Sequence, residues 1–124
     1  NFVTATYTNA WAETTGYLDV KDPWISMAKT YGQIILNNNL KHRLDLMKKM
    51  IKTYSVDGMV MHSTRSCKPY SVGQFDLRKA ITADLDLPAV ILDADIADER
   101  VWSEQQIHTR LEAFCETLEG SKFG

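Results

Sequence analysis

The stretch Asp57-Gly58-Met59-Val60-Met61-His62-Ser63-Thr64-Arg65-Ser66-Cys67-Lys68-Pro69-Tyr70-Ser71 changes character twice. Asp57-Gly58 is a turn signal. Residues 59–62 form a short apolar run with the length of a buried strand. Residues 63–71 are polar and aperiodic, and Pro69 sits where a helix can begin without losing a hydrogen bond. Strand, polar loop, helix: that succession is the repeating unit of a parallel α/β sheet.

Working outward, the same succession recurs. A helix is predicted to begin near residues 69–72 and run to Leu85, with Leu77, Ile81 and Leu85 on its inner face. Pro88 opens a strand at residues 89–92, and residues 93–101 form a second polar loop. Ser103 and Gln106 satisfy the capping-box pattern. The helix that follows carries Ile107, Leu111, Phe114, Cys115 and Leu118 at helical spacing, and Gly120 is expected to end it.

Upstream, residues 2–7 (Phe-Val-Thr-Ala-Thr-Tyr) are rich in β-branched and aromatic side chains and are predicted as a strand. Residues 8–21 are predicted as a loop. Asp22-Pro23 supplies an N-cap and a proline at the first helical position, opening a helix over residues 23–36. Asn37, Asn38 and Asn39 break it, because asparagine tolerates turn geometry. A second helix over residues 40–54 places Leu40, Leu44, Met47, Met50, Ile51 and Tyr54 in one apolar stripe. Lys41, Arg43, Lys48, Lys49 and Lys52 fall outside that stripe and read as a solvated face.

The expected fold is therefore α/β, a three-layer αβα arrangement resembling flavodoxin, with a parallel sheet covered by helices on both faces. Residues 1–124 are read as one domain. Because Asn1 stands where a strand is already under way, they are expected to be a fragment of something longer. In open α/β sheets ligands gather beyond the carboxyl ends of the strands, which singles out residues 8–16, 63–71 and 93–100.

Bulk properties exclude rather than select. A net charge of -2 gives no electrostatic reason for a nucleic-acid or acidic-membrane partner. No apolar run approaches the roughly 20 residues needed to cross a bilayer. Without a recognisable secretory leader the cytoplasm is the expected compartment, where thiols are reduced or metal-bound.

Cys67 is the leading chemical candidate. It lies beyond a strand end, between Arg65 and Lys68 and close before a helix, surroundings that favour the thiolate needed by a nucleophile or a metal ligand. A small buried filler is the bland alternative. Cys115 shares the apolar stripe of the last helix and is expected in the core. The two cysteines form no C-x-x-C pair, so a zinc or iron–sulfur site would need ligands from elsewhere. His62 is read as structural, and His42 and His108 as solvated.

Asp93, Asp95 and Asp98 resemble a cation loop, but Ala97 occupies a ligand position and Asp98 stands where the sharp turn needs glycine. Loop capping and an ion pair with Arg100 or Arg65 fit better. Phosphate-binding glycine motifs are missing. Gly73 occupies the place where a cysteine phosphatase needs arginine, and no histidine is identifiable as the base of a cysteine hydrolase.

The segment from His62 to Ser71, followed by Gly73-Gln74, resembles the R-S-C-K segment of the benzoyl-CoA reductase/2-hydroxyacyl-CoA dehydratase family. The sequel matches in kind: Leu87-Pro88, a strand ending Leu92-Asp93-Ala94-Asp95, then Arg100, Ser103, Gln106 and Thr109-Arg110. The likeness is good over residues 57–118 and looser over residues 1–54.

The resemblance implies a long subunit carrying a low-potential 4Fe-4S cluster held by three cysteines, of which Cys67 is the last. It implies a homologous second subunit, an acyl-CoA substrate and an ATP-hydrolysing iron–sulfur activator that delivers single electrons. Members either expel water from a hydroxyacyl-CoA or dearomatise a benzoyl ring. Arg65, Ser66, Lys68 and Ser71 would then surround the cluster, through charge or hydrogen bonds to sulfur, and the isolated piece would hold no cluster. The rival functions are a metal-free flavodoxin-like interaction domain and a free cysteine hydrolase.

Overall fold

A computed structural model describes residues 1–7 and 14–122 of the chain. They fall into two compact units, Asn1–Val56 and Asp57–Gly124.

The first unit is helical. Asp22 caps helix α1 (Pro23–Gly32) by accepting a hydrogen bond from the Ile25 amide at 3.4 Å, so this local signal reads correctly from sequence. The three asparagines divide the work of ending α1 and starting α2 (Leu40–Thr53). Asn37 Nδ2 donates to the Tyr31 carbonyl at 2.8 Å, and Asn38 Nδ2 donates to the Gly32 and Ile34 carbonyls at 2.9 Å each. These bonds add side-chain donors to carbonyls at the C-terminal end of α1 and in the turn that follows it. Asn39 instead accepts from the His42 amide at 3.0 Å and caps α2. A short 3-10 turn, Ile35–Asn37, lies between the two helices.

The helix expected over residues 23–36 stops at Gly32, and two further expectations fail in this unit. Residues 1–5 are irregular and Thr6 and Tyr7 are helical, so the strand at residues 2–7 is not there. Phe2 is 95% exposed: β-propensity makes no strand without a partner and a face to bury. Arg43 does not lie on a solvated face. It is buried, and its Nε donates to the Ile35 carbonyl at 2.9 Å, which compensates for removing both groups from water. The proposed loop at residues 8–21 lies outside the described residues as far as position 13; Thr15–Tyr17 forms a 3-10 turn.

The second unit carries the sheet. Strands β1 (Met59–Thr64) and β2 (Ala89–Ala94) pair in parallel, in register from Met59↔Ala89 to Thr64↔Ala94. The α/β class and the parallel pairing agree with the sequence. The three-layer flavodoxin-like arrangement is not seen, since the described residues hold two strands. Between the strands run α3 (Lys68–Ser71, one turn) and α4 (Gln74–Leu85). The single helix expected over this span is split because Gly73 adopts φ 84°, a left-handed conformation that glycine reaches without steric cost. Leu77 and Ile81 from α4 join Met61, Leu87, Ile91 and Ala94 among the buried residues. Ile81 is fully buried, which stabilises by about 1.5–3 kcal/mol.

Helix α5 (Glu104–Lys122) continues through Gly120 rather than ending there. It approaches the start of β1 so closely that a Cβ at Gly58 would lie 2.5 Å from Leu118 Cδ2 and 2.8 Å from Phe114 Cζ. Gly58 is thus a packing requirement as well as a turn residue. Ile107, Leu111, Phe114 and Leu118 are half-buried, whereas Cys115 is exposed, against the expectation of a core thiol. The buried stripe follows i, i+4, i+7, i+11 and is too narrow to include the next residue round the helix.

The ladder explains how the strand edges are finished. Met59 N donates to the Pro88 carbonyl at 2.9 Å and Arg65 N to the Ala94 carbonyl at 3.3 Å. In a parallel pair alternate residues face the partner, so Val60, His62 and Thr64 direct their backbone groups to the opposite edge. There the His62 carbonyl accepts from Gln74 Nε2 at 2.8 Å, and the Thr64 carbonyl accepts from Ser71 Oγ at 2.7 Å and Cys67 N at 3.1 Å. On β2, Arg110 Nη1 reaches the Ile91 carbonyl at 3.0 Å. Side chains cover edge acceptors that would otherwise invite another strand.

Candidate functional site

Cys67 lies beyond the C-terminal end of β1, where the open-sheet rule places ligands. It is half-buried, a free thiol, and the N-cap residue of α3 without a capping bond from its side chain. Its carbonyl accepts from the Tyr70 amide at 3.2 Å and the Ser71 amide at 3.1 Å, while its own amide donates to Thr64. The backbone around the sulfur is therefore tied on both sides. Because α3 is one turn long, it sums few peptide dipoles and contributes little field at the thiol. Nearby positive charge comes instead from Arg65 and Lys68, both exposed.

The loop after β2 meets this segment. Asp95 accepts from the Ser66 amide at 2.6 Å, the Ser66 hydroxyl at 3.0 Å and the Ala97 amide at 2.8 Å. Hydrogen bonds from Ala97 N, then the Ser66 hydroxyl and amide, hold its carboxyl below the ordinary range. Asp98 caps a 3-10 turn, Glu99–Val101, and grips Arg100 through Nε and Nη2, each at 2.8 Å. The Arg100 side chain is the main cause of its lowered pKa, with Arg65 adding a smaller attraction. Loop capping and pairing with Arg100 agree with the sequence. A shallow depression beside these residues is lined by Ile96, Arg100 and Trp102 and does not include Cys67.

Of the residues singled out around Cys67, Ser66 and Ser71 are committed elsewhere. Each hydroxyl has one proton to donate; that of Ser66 goes to Asp95 and that of Ser71 to Thr64. Both hold the loop in place and neither proton points to the thiol. His62 Nδ1 lies 3.3 Å from Thr64 Oγ1. His108 pairs with Glu112 at 3.1 Å on an exposed face of α5. Sequence reasoning missed Gln74, which is buried and braces His62, and the link from Asp95 to Ser66. Equal strands in register would have suggested the second, because matching positions beyond two paired strand ends become neighbours.

Among the described residues no group of three or more His, Cys, Asp or Glu side chains is placed to hold a metal ion. Cys67 alone is a single soft donor, and a metal bound there would require further ligands from other residues. No helix among the described residues is long and apolar enough to cross a membrane.

A strand ending in an R-S-C-K loop, braced from the neighbouring strand, can be compared with known proteins. A family model described as 2-hydroxyglutaryl-CoA dehydratase, D-component, matches residues 1–118. The chain belongs to that family. It is 29% identical over 106 residues to a benzoyl-CoA reductase subunit of Thauera aromatica, covering 86% of this chain and 24% of that one. To the alpha subunit of lactoyl-CoA dehydratase from Anaerotignum propionicum it is 34% identical over 96 residues, 77% of this chain and 23% of the relative. The (R)-phenyllactyl-CoA dehydratase alpha subunit of Clostridium sporogenes is 31% identical over 122 residues, 97% of this chain and 28% of the relative. The chain thus spans about a quarter of the length of these relatives.

Proposed function

We propose that this chain is the C-terminal part of an iron–sulfur subunit in a cytoplasmic, acyl-CoA-directed dehydratase or aromatic reductase, and that Cys67 is one ligand of its 4Fe-4S cluster. Family membership and the names of the relatives support the enzyme class. The observation that supports the ligand is local: a half-buried thiol stands at a strand's carboxyl end in a backbone held by hydrogen bonds, with its side chain free of any cap.

When bound, the cluster would supply low-potential one-electron chemistry, with its other ligands from residues outside those described. This chain's own residues orient and screen. Cys67 presents its sulfur. Arg65 and Lys68 offset negative charge gathered at the loop. Ser66 and Ser71 fix the backbone on either side of the thiol. A homologous second subunit, an ATP-driven iron–sulfur activator and an acyl-CoA are the partners this reading requires.

Electron paramagnetic resonance of the anaerobically purified, reduced full-length subunit tests the ligand. Replacing Cys67 by serine exchanges sulfur for oxygen at one iron, and the cluster signal should change shape or vanish. An unchanged signal would remove Cys67 from the ligand set.

A further inference from the structure

Two peptide groups precede the Cα of Cys67, and both are pinned. The Cys67 amide donates to the Thr64 carbonyl at 3.1 Å, within the loop itself. The Ser66 amide donates to Asp95 at 2.6 Å, across to the loop that follows β2. Ser66 Oγ donates to the other carboxylate oxygen at 3.0 Å, so the contact is two-pronged and restricts rotation as well as distance. Asp95 is itself fixed, because the Ala97 amide donates to it at 2.8 Å. With both peptides held, little freedom is left in the direction along which the Cα–Cβ bond of Cys67 leaves the chain.

We propose that Asp95 is a positioning residue for Cys67, aiming the thiolate at its iron through Ser66, an assignment that rests on Cys67 being a cluster ligand. Asparagine could not replace it: an amide offers one acceptor oxygen and turns N–H toward donors that the second carboxylate oxygen now satisfies. The carboxylate also places negative charge beside an anionic cluster, which disfavours the further charge added on reduction.

The test uses the full-length subunit, purified without oxygen, in four variants: Asp95→Asn, Asp95→Glu, Ser66→Ala and Asp95→Asn with Ser66→Ala. Three readouts apply: the rate of iron transfer to a chelator, the cluster's midpoint potential and its paramagnetic resonance spectrum. Residues that hold a ligand in place typically govern metal affinity by 10–100-fold, so Asp95→Asn should lose iron about 10- to 100-fold faster. Its potential should move positive. Asp95→Glu keeps the charge and should keep most of the potential while losing iron faster than wild type. Ser66→Ala removes one prong and should give a smaller effect in the same direction. The double variant should be no worse than Asp95→Asn, since both changes break one linkage.

A wild-type chelation rate, potential and spectrum in Asp95→Asn would overturn the assignment even if the variant melts earlier, because that pattern belongs to a purely structural role. If Asp95→Asn does not fold, Ser66→Ala carries the decision by the same readouts. Cys67→Ala separates the two levels. Should it lose iron while Asp95→Asn behaves as wild type, Asp95 alone is wrongly assigned. Should it keep its iron, the ligand reading fails and the Asp95 assignment falls with it.

Discussion

Thr64 and Ala94 stand opposite each other on the last rung of the β1–β2 ladder, and everything chemical in the second unit begins one residue further on. Because the strands are parallel and equal in length, their loops leave the sheet side by side. Arg65, Ser66 and Cys67 therefore emerge next to Asp95, with Ser66 and Asp95 in direct contact.

Gly58 is packed tightly against Phe114 and Leu118. Gly58→Ala would force Phe114 and Leu118 to shift, and overpacking of this kind costs about 1–3 kcal/mol. A denaturant midpoint lowered with unchanged slope is the expected outcome. Among the described residues nothing lies within 4 Å of a Cβ added at Gly16, so Gly16→Ala should stay within roughly 0.5 kcal/mol of wild type.

Gln74 is buried and donates to the His62 carbonyl, while its own Oε1 has no partner among the described residues. In Gln74→Glu the ionised side chain would turn an acceptor toward an acceptor. Burial and that contact raise the folded-state pKa above the unfolded value of about 4.3. The stability is then fully present below the unfolded pKa and lost as pH rises through the folded one. Melting curves of Gln74→Glu should approach wild type in acid and fall short by about 1–3 kcal/mol at neutral pH.

Arg43 distinguishes a buried cation from the solvated ones near it. Arg43→Ala leaves the Ile35 carbonyl without its donor and removes packed methylenes, at a cost of about 1–3 kcal/mol. Lys52→Ala, on an exposed position of the same helix, should change the unfolding free energy by less than about 0.5 kcal/mol.

Asp95 and Asp98 both have lowered pKa values, set first by the Ala97 amide and by Arg100 respectively. A depressed carboxylate pKa contributes stability that is present above the unfolded value, here 3.8, and lost as pH falls through the folded one. Thermal midpoints should therefore show no contribution from these residues to any change between about pH 5 and 8. Part of the loss below about pH 4 should disappear in Asp98→Asn.

What was legible in the sequence was what neighbours in the chain decide. Asp22-Pro23 starts a helix because its donors and acceptors lie within three residues, and two apolar runs opened by turn signals became β1 and β2. Residues 2–7 misled because strand formation depends on a partner that composition does not reveal. The break at Gly73 was hidden because glycine also occurs inside helices, and a left-handed φ has no signature beyond glycine itself. Cys115 sits one step round the helix from Phe114, and which of two adjacent residues is covered depends on helix placement. The Cys67 loop was found by its motif, but the residue that braces it, Asp95, is reached through strand register alone.

Iron and acid-labile sulfide per full-length subunit, assayed after anaerobic purification of Cys67→Ala beside Cys115→Ala, bear most directly on the assignment of the loop. Cys115 is exposed on α5, and its replacement should leave the content unchanged. Cys67→Ala should be depleted of both. A full complement in Cys67→Ala would contradict the central assignment.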